Sequence, residues 1–219
     1  MQCGPIRCQA SKPENAPKDL EVLPSILLKA IVLPKDAAIQ DVFRHIVVDK
    51  DRNDLIVEAI VNAFNLGRKV LVLTERTDHL TAILDSFQRK LSKPFVLHGK
   101  MSKKQRSIEI KALNELDDNA PRVLLATGKL IGEGFDHSAL DTLVLAMPIS
   151  WKGTLQQYVG RLHREHVTKL DVQVIDFVDA GHPVLLRMWE RRQKGYKAMG
   201  YKINVQADDG AIKDAIAIS

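Results

Sequence analysis

The chain has 219 residues, 45% hydrophobic and 27% charged, the balance of a globular protein with one ordinary domain and room for a small extension. Its 32 basic and 27 acidic residues leave a net charge of +5, too mild an excess to identify a polyanionic partner by itself. No apolar run approaches the roughly 20 residues of a membrane-spanning helix and the opening residues lack a secretory signal, so a cytoplasmic chain without a membrane partner is expected; Cys3 and Cys8, with no histidine near them in sequence, are expected to be reduced thiols rather than a metal site.

Residues 1 to about 24 are rich in Pro, Lys, Glu and Asn and read as a linker or an arm. Ile26 to Leu33 is apolar enough for a strand and ends at Pro34. Ile39, Val42, Phe43 and Ile46 recur at helical spacing. Asn53 is a candidate N-cap for a second helix with the apolar face Leu55, Ile56, Ala59, Ile60 and Ala63, and Gly67 fits its C-terminal stop.

The pattern then becomes regular. Val70 to Leu73 is a continuous apolar run, as expected of a strand buried on both faces. Leu80, Ile83, Leu84, Phe87 and Leu91 mark a helix, and Phe95 to Leu97 a short strand. Ser102 and Gln105 have capping-box spacing at the start of a helix. Val123 to Ala126 and Leu143 to Ala146 are the next strands. Thr154 and Gln157 repeat the capping-box spacing and open a helix through Arg164; Val172 to Phe177 is a strand, and Pro183 to Met199 a long basic helix. Strands alternating with helices predict a doubly wound α/β domain with a mainly parallel sheet. In such sheets ligands sit beyond the carboxyl ends of the strands.

Two charge runs stand out. Lys100 to Lys111 holds five basic residues and one acid, and Arg187 to Lys202 six and one. Each is either a solvated helix face or a contact for a polyanion. Phe177, Trp189, Tyr196 and Tyr201 accompany the second run, either to stack on bases or to pack the helix onto the sheet.

Three loops after strands carry unusual chemistry: Thr74-Glu75-Arg76, the stretch from Ala126 to Asp136, and the stretch from Gln156 to Arg164. On a helix Gln157, Gly160, Arg161 and Arg164 lie at i, i+3, i+4 and i+7 and share one face. Gly160 removes the side chain that would hold another surface away, at a cost of about 1 kcal/mol relative to alanine in mid-helix. Paired planar guanidiniums suit phosphate oxygens, above all those of a transferring γ-phosphoryl group.

Gln157-x-x-Gly160-Arg161-x-x-Arg164 resembles motif VI of superfamily 2 helicases. Thr127 through Asp136, with Gly132-Glu133-Gly134-Phe135-Asp136, resembles motif V. Val70 to Arg76 is similar to motif IV, and Leu97-His98-Gly99 with the basic helix at Gln105-Arg106 to motif IVa. The four occur in the family's order over about residues 66–180.

The resemblance implies a RecA-like doubly wound, mainly parallel sheet with helices on both faces. It implies ATP with Mg²⁺ in an inter-lobe cleft, with Arg161 and Arg164 as arginine fingers and Gln157 positioning nucleotide or water. Gly132, Glu133, Gly134, Asp136 and Gly160 would lie at the same cleft. Thr74, Arg76, Gly99 and Thr127 would face the nucleic-acid track; His98 either faces it or only finishes a strand. Lys100, Lys103, Lys104 and Arg106 become backbone contacts. No G-x-x-x-x-G-K-[ST] occurs in the sequence, so the loop that cradles ATP phosphates is expected on a separate first lobe. The expected layout is an N-terminal arm over 1–40 from that lobe, the helicase domain over 41–205, and a polar tail over 206–219. Gly-Glu-Gly-Phe-Asp is closer to DEAD/DEAH-like DNA helicases of repair and restriction systems, which makes DNA the expected partner ahead of RNA. The other reading is a non-catalytic nucleic-acid-binding module with a helicase-derived fold.

Overall fold

In a computed structural model, which describes residues 19–87, 91, 94–128, 135, 137–149, 155–164, 166 and 169–204, the apolar runs become strands of one sheet. The strands are β1 (Asp19–Leu27), β2 (Lys69–Thr74), β3 (Phe95–Leu97), β4 (Arg122–Thr127), β5 (Thr142–Leu145), β6 (Asp171–Asp179) and β7 (Lys202–Ile203). Their order is β3-β4-β2-β5-β6-β1-β7, and every pairing is parallel. Every residue of β2, β4 and β5 is buried, because helices cover both faces.

The helices are α1 (Ile39–Val47), α2 (Lys50–Asn65), α3 (Thr77–Phe87), α4 (Lys103–Asn114), α5 (Gln156–Leu162) and α6 (Pro183–Ala198). Side chains alternate across each strand, and this alternation divides the core. Leu71, Leu73, Leu124, Leu143 and Leu145 meet α4, α5 and α6 through Leu113, Tyr158, Val159, Leu162 and Trp189. Val70, Val72, Val123, Leu125 and Val144 meet α2 and α3 through Ile56, Ile60, Leu80 and Ile83. Among the described residues no helix is long and apolar enough to cross a membrane.

Three local expectations are corrected. The first strand is Asp19–Leu27, not Ile26–Leu33, so the latter part of the segment read as an arm is a strand of the sheet. Pro24 lacks the N–H that a central strand uses. It falls past Glu21 and Val22, the β1 residues that β7 pairs among the described residues. The second correction concerns α2, whose N-cap is Asp49, its carboxylate accepting from the Arg52 N–H at 3.2 Å. Asn53 lies inside the helix, buried, and donates to the Val47 carbonyl at 2.9 Å. Third, α5 ends at Leu162 rather than Arg164. The capping box of Ser102 and Gln105 forms as expected, and Gly67 follows α2 at φ +79, the left-handed conformation that ends helices. Thr154 lies outside the described residues.

Two buried ion pairs staple helices to the sheet. Arg52 of α2 binds Asp179 of β6 in bidentate fashion at 2.8 and 3.0 Å and donates to the Ala146 carbonyl. Arg192 of α6 does the same to Asp176 at 2.7 and 2.8 Å, and the Tyr196 hydroxyl donates to that carboxylate at 2.9 Å. Phe177, Trp189, Tyr196 and Tyr201 are all buried; the last three pack α6 onto the sheet, Phe177 faces α2 and α3 on the other side, and none is available for stacking on a base.

Candidate nucleotide-facing helix and nucleic-acid groove

The carboxyl ends of the neighbouring strands β3, β4 and β2 open onto one groove, of about 510 Å³, lined by Glu75, Arg76, Thr77, Asp78, Gly99, Lys100 and Thr127. Arg76, Gly99, Lys100 and Thr127, expected at the nucleic-acid track, are thereby brought together. Thr74 and Thr127 are cross-strand partners and the last residues of β2 and β4 rather than loop residues, with only 2% and 6% of their surfaces exposed.

The Thr74 hydroxyl is engaged inward. It accepts from the Arg76 N–H at 3.3 Å and lies 3.0 Å from His79 Nδ1; His79 Nε2 lies 3.0 Å from Asn53 Oδ1. Asn53 uses its amide N–H₂ on Val47, so its oxygen accepts from Nε2–H, and Nδ1 accepts from Thr74. This buried relay fixes the turn from β2 into α3. Arg76 is likewise occupied, held by Asp78 through contacts of 2.6 to 3.2 Å, which keep the Asp78 carboxyl below its ordinary range. Lys100 is the cation on this groove that has no ion-pair partner among the described residues.

His79 is fully buried, and burial, followed by the nearby Arg52 charge, pushes its pKa from 6.5 down to about 3. The unfolded chain takes up a proton below about pH 6.5 that the folded protein refuses until about pH 3, so the stability from neutral His79 is full above 6.5 and lost as pH falls. At about 1.4 kcal/mol per unit, roughly 2 kcal/mol disappears between pH 7 and pH 5. Urea melts at the two pH values should show this loss, and His79→Gln should remove most of it. Equal losses in both proteins would assign the acid sensitivity to other groups.

Beside the groove, α4 displays Lys103 and Lys104 to solvent, with Arg106 half-exposed. Arg106 Nε is buried with no hydrogen-bond partner among the described residues, as is His98 Nδ1. His98 directly follows β3, half-buried, its N–H directed at the Met101 sulfur at 3.4 Å; it does not line the groove.

Helix α5 turns Tyr158, Val159 and Leu162 into the core and leaves Gln157, Gly160 and Arg161 outward. Arg164 lies two residues past the helix, its N–H donating to the Arg161 carbonyl at 3.4 Å, and is exposed. Among the described residues no atom lies within 4 Å of where a Gly160 Cβ would be, so their packing does not require the glycine. The outward groups are two guanidiniums and an amide, a donor set suited to phosphate oxygens and not to a cation. Gly132, Glu133, Gly134 and Asp136 lie outside the described residues.

Glu75, Gly128 and Tyr158 were missed in the sequence. The Tyr158 hydroxyl donates to Glu75 at 3.3 Å, and a Cβ on Gly128 would collide with that hydroxyl and with Glu75 Oε1. Partial burial raises the Glu75 carboxyl, against the opposing Tyr158 bond. The groove loop, the end of β4 and the arginine-bearing helix thus meet at one point. Only the glycine had a signal, its place beside Thr127.

A family model of the helicase conserved C-terminal domain matches residues 51–166, just over half of the chain. The chain belongs to this family. Its all-parallel sheet with helices on both faces is RecA-like. Probable helicase D10 of Escherichia phage T5 is 26% identical over 160 residues, covering 71% of this chain and 35% of that protein. The putative ATP-dependent RNA helicase L396 of Acanthamoeba polyphaga mimivirus is 25% identical over 159 residues, covering 70% and 28%. This helicase domain therefore spans about a third of the length of these curated relatives. Among solved structures, T4 UvsW superposes with a TM-score of 0.66 at 20% identity, covering 85% of this chain and 41% of that one. The C-terminal domain of the DEAD-box protein Dbp5 superposes at 0.59 and 13% identity, covering 92% and 98%. At these identities the two structures show the fold.

Proposed function

We propose that the chain is the second motor lobe of an ATP-dependent DNA helicase or translocase. The observation that carries this reading is the outward face of α5, with Gln157, Arg161 and an unfilled space at Gly160, next to a groove lined by Gly99, Lys100 and Thr127. A first lobe with the P-loop and the metal-holding carboxylates closes against that face, with ATP and Mg²⁺ between. Bound there, ATP supplies the phosphoryl group; Arg161 and Arg164 hold its γ-phosphate oxygens, and Gln157 orients nucleotide or water. Gly132, Glu133, Gly134 and Asp136 belong to the same cleft by the family's motif, and Gly160 lets the other lobe approach closely.

The groove holds the strand by its backbone. Lys100 and the α4 residues Lys103, Lys104 and Arg106 supply cations, and Gly99 supplies access to its backbone. Thr74 acts by fixing the turn, since its hydroxyl is used internally. Arg76 reaches phosphate only by leaving Asp78. His98 finishes β3 and borders the track. Gly-Glu-Gly-Phe-Asp supports DNA as the polymer.

The test is salt-dependent binding to single-stranded DNA. Affinity should fall steeply between about 50 and 200 mM salt, since each phosphate contact releases a counterion. Replacing Lys100, Lys103, Lys104 and Arg106 together by glutamine should weaken binding at least about tenfold and flatten the salt slope by roughly 3. Binding insensitive to salt and to these changes would remove the groove from the reading. Equal or tighter binding of single-stranded RNA would replace DNA as the polymer.

A further inference from the structure

The nucleotide-facing helix and the groove leave the second basic run, on α6, unused. In the structure Arg187, Arg191, Lys194 and Lys197 are exposed, at spacings of three and four residues that align them along one side of the helix. None of the four has an ion-pair partner among the described residues, whereas Arg192 on the buried side is consumed by Asp176. The charge is sorted by the sheet as well. Helices α2 and α3 carry Asp51, Asp54, Glu58, Asp78 and Asp85 against a single exposed cation, Lys50. Helices α4, α5 and α6, on the opposite face, carry acids only at Glu109 and Glu190.

We infer that the exposed stripe of α6 is a docking surface for duplex DNA, separate from the groove. The inference rests on the nucleic-acid reading above and extends it to a second contact. Single-strand surfaces track the backbone along a positively charged groove, whereas this stripe is the outward side of a single helix. Here Trp189 and Tyr196 are buried against the sheet, and the stripe presents point charges alone. Such a surface fits a partner whose bases are already stacked on each other and whose outside is phosphate. From Arg187 to Lys197 the helix rises about 15 Å. A duplex carries one charge per about 1.7 Å of its axis, so roughly nine phosphates lie along a stripe of that length. Four unpaired cations meet them without reading sequence.

The experiment compares two variants of this chain by fluorescence anisotropy across a salt series. One carries Arg187→Gln, Arg191→Gln, Lys194→Gln and Lys197→Gln, and the other the groove substitutions described above. Thermal melts accompany both, and all four α6 positions are exposed, so folding should be retained. For the α6 variant, affinity for a blunt DNA duplex should fall at least about tenfold and its salt slope by about 3 to 4, while single-strand affinity stays within about twofold. The groove variant should show the reverse preference. Unchanged duplex binding in the α6 variant overturns the inference and leaves the groove reading intact. Equal loss on duplex and single strand also overturns it, as a general charge effect. A larger loss on duplex RNA than on duplex DNA, or tighter binding of polyglutamate than of duplex, shows that the stripe serves another partner. If the groove variant alone behaves as wild type, the groove drops out of the proposed function while the α6 surface stands.

Discussion

Arg164→Ala, and to a similar degree Arg161→Ala, should lower kcat for ATP at least about a hundredfold in the enzyme that joins this domain to a P-loop lobe, with little change in nucleotide affinity. As the γ-phosphoryl group transfers, negative charge spreads over its oxygens, and a guanidinium placed there stabilises the transition state more than bound ATP. Arginine fingers in such reactions contribute on the order of 10³ to 10⁵ in rate. Lysine should rescue poorly, because a point charge lacks the planar fork. Folding should survive, since Tyr158, Val159 and Leu162 make the packing contacts of α5 while Arg161 and Arg164 face outward. Steady-state ATPase measurements at saturating DNA, with thermal melts, check both halves, and the present chain alone should give the zero-turnover baseline. A variant that keeps most of its kcat removes that arginine from the cleft. Unfolding of both variants would make this face a structural one.

The second large effect concerns stability. Arg192→Ala should destabilise the domain by about 3 to 5 kcal/mol, because it strands the buried Asp176 carboxylate with the Tyr196 hydroxyl as its remaining side-chain partner. For a domain of this size that corresponds to a fall in Tm of roughly 10 °C. Converting the pair together, Arg192→Met with Asp176→Leu, should cost markedly less, since no unpaired charge remains. A double variant as unstable as the single one would mean that shape, not charge, dominates at this site.

Much of the fold was legible because β2, β4 and β5 are apolar without interruption, and burial on both faces leaves that imprint on a sequence. The face of α5 was legible for a related reason: Gln157, Gly160 and Arg161 keep helical spacing around the buried Tyr158, Val159 and Leu162. Where sequence reading failed, the decision was tertiary. Asp49 and Asn53 are both good capping residues, and Asn53 is drawn into the helix by His79 and Val47, which are packed against it. The strand β1 is half-exposed along most of its length, so its pattern is mixed and Pro24 dominated it. At the groove, Arg76 is a cation in sequence but a salt-bridged one in space, and the contact of Tyr158 with Glu75 spans 83 residues, beyond any local pattern.

The place of β1 also sets the order in which the molecule can be assembled. Asp19 pairs with Asp171, so the first described strand leaves the ribosome 171 − 19 = 152 residues before its partner. At about 5 to 20 residues per second, Leu20, Val22, Ile26 and Leu27 wait roughly 8 to 30 seconds without the neighbour that covers them. The strands β2, β3, β4 and β5 can pair among themselves in that interval. Closure of the sheet is then a late, long-range event, and during synthesis the nascent β1 is the segment with most to gain from a chaperone.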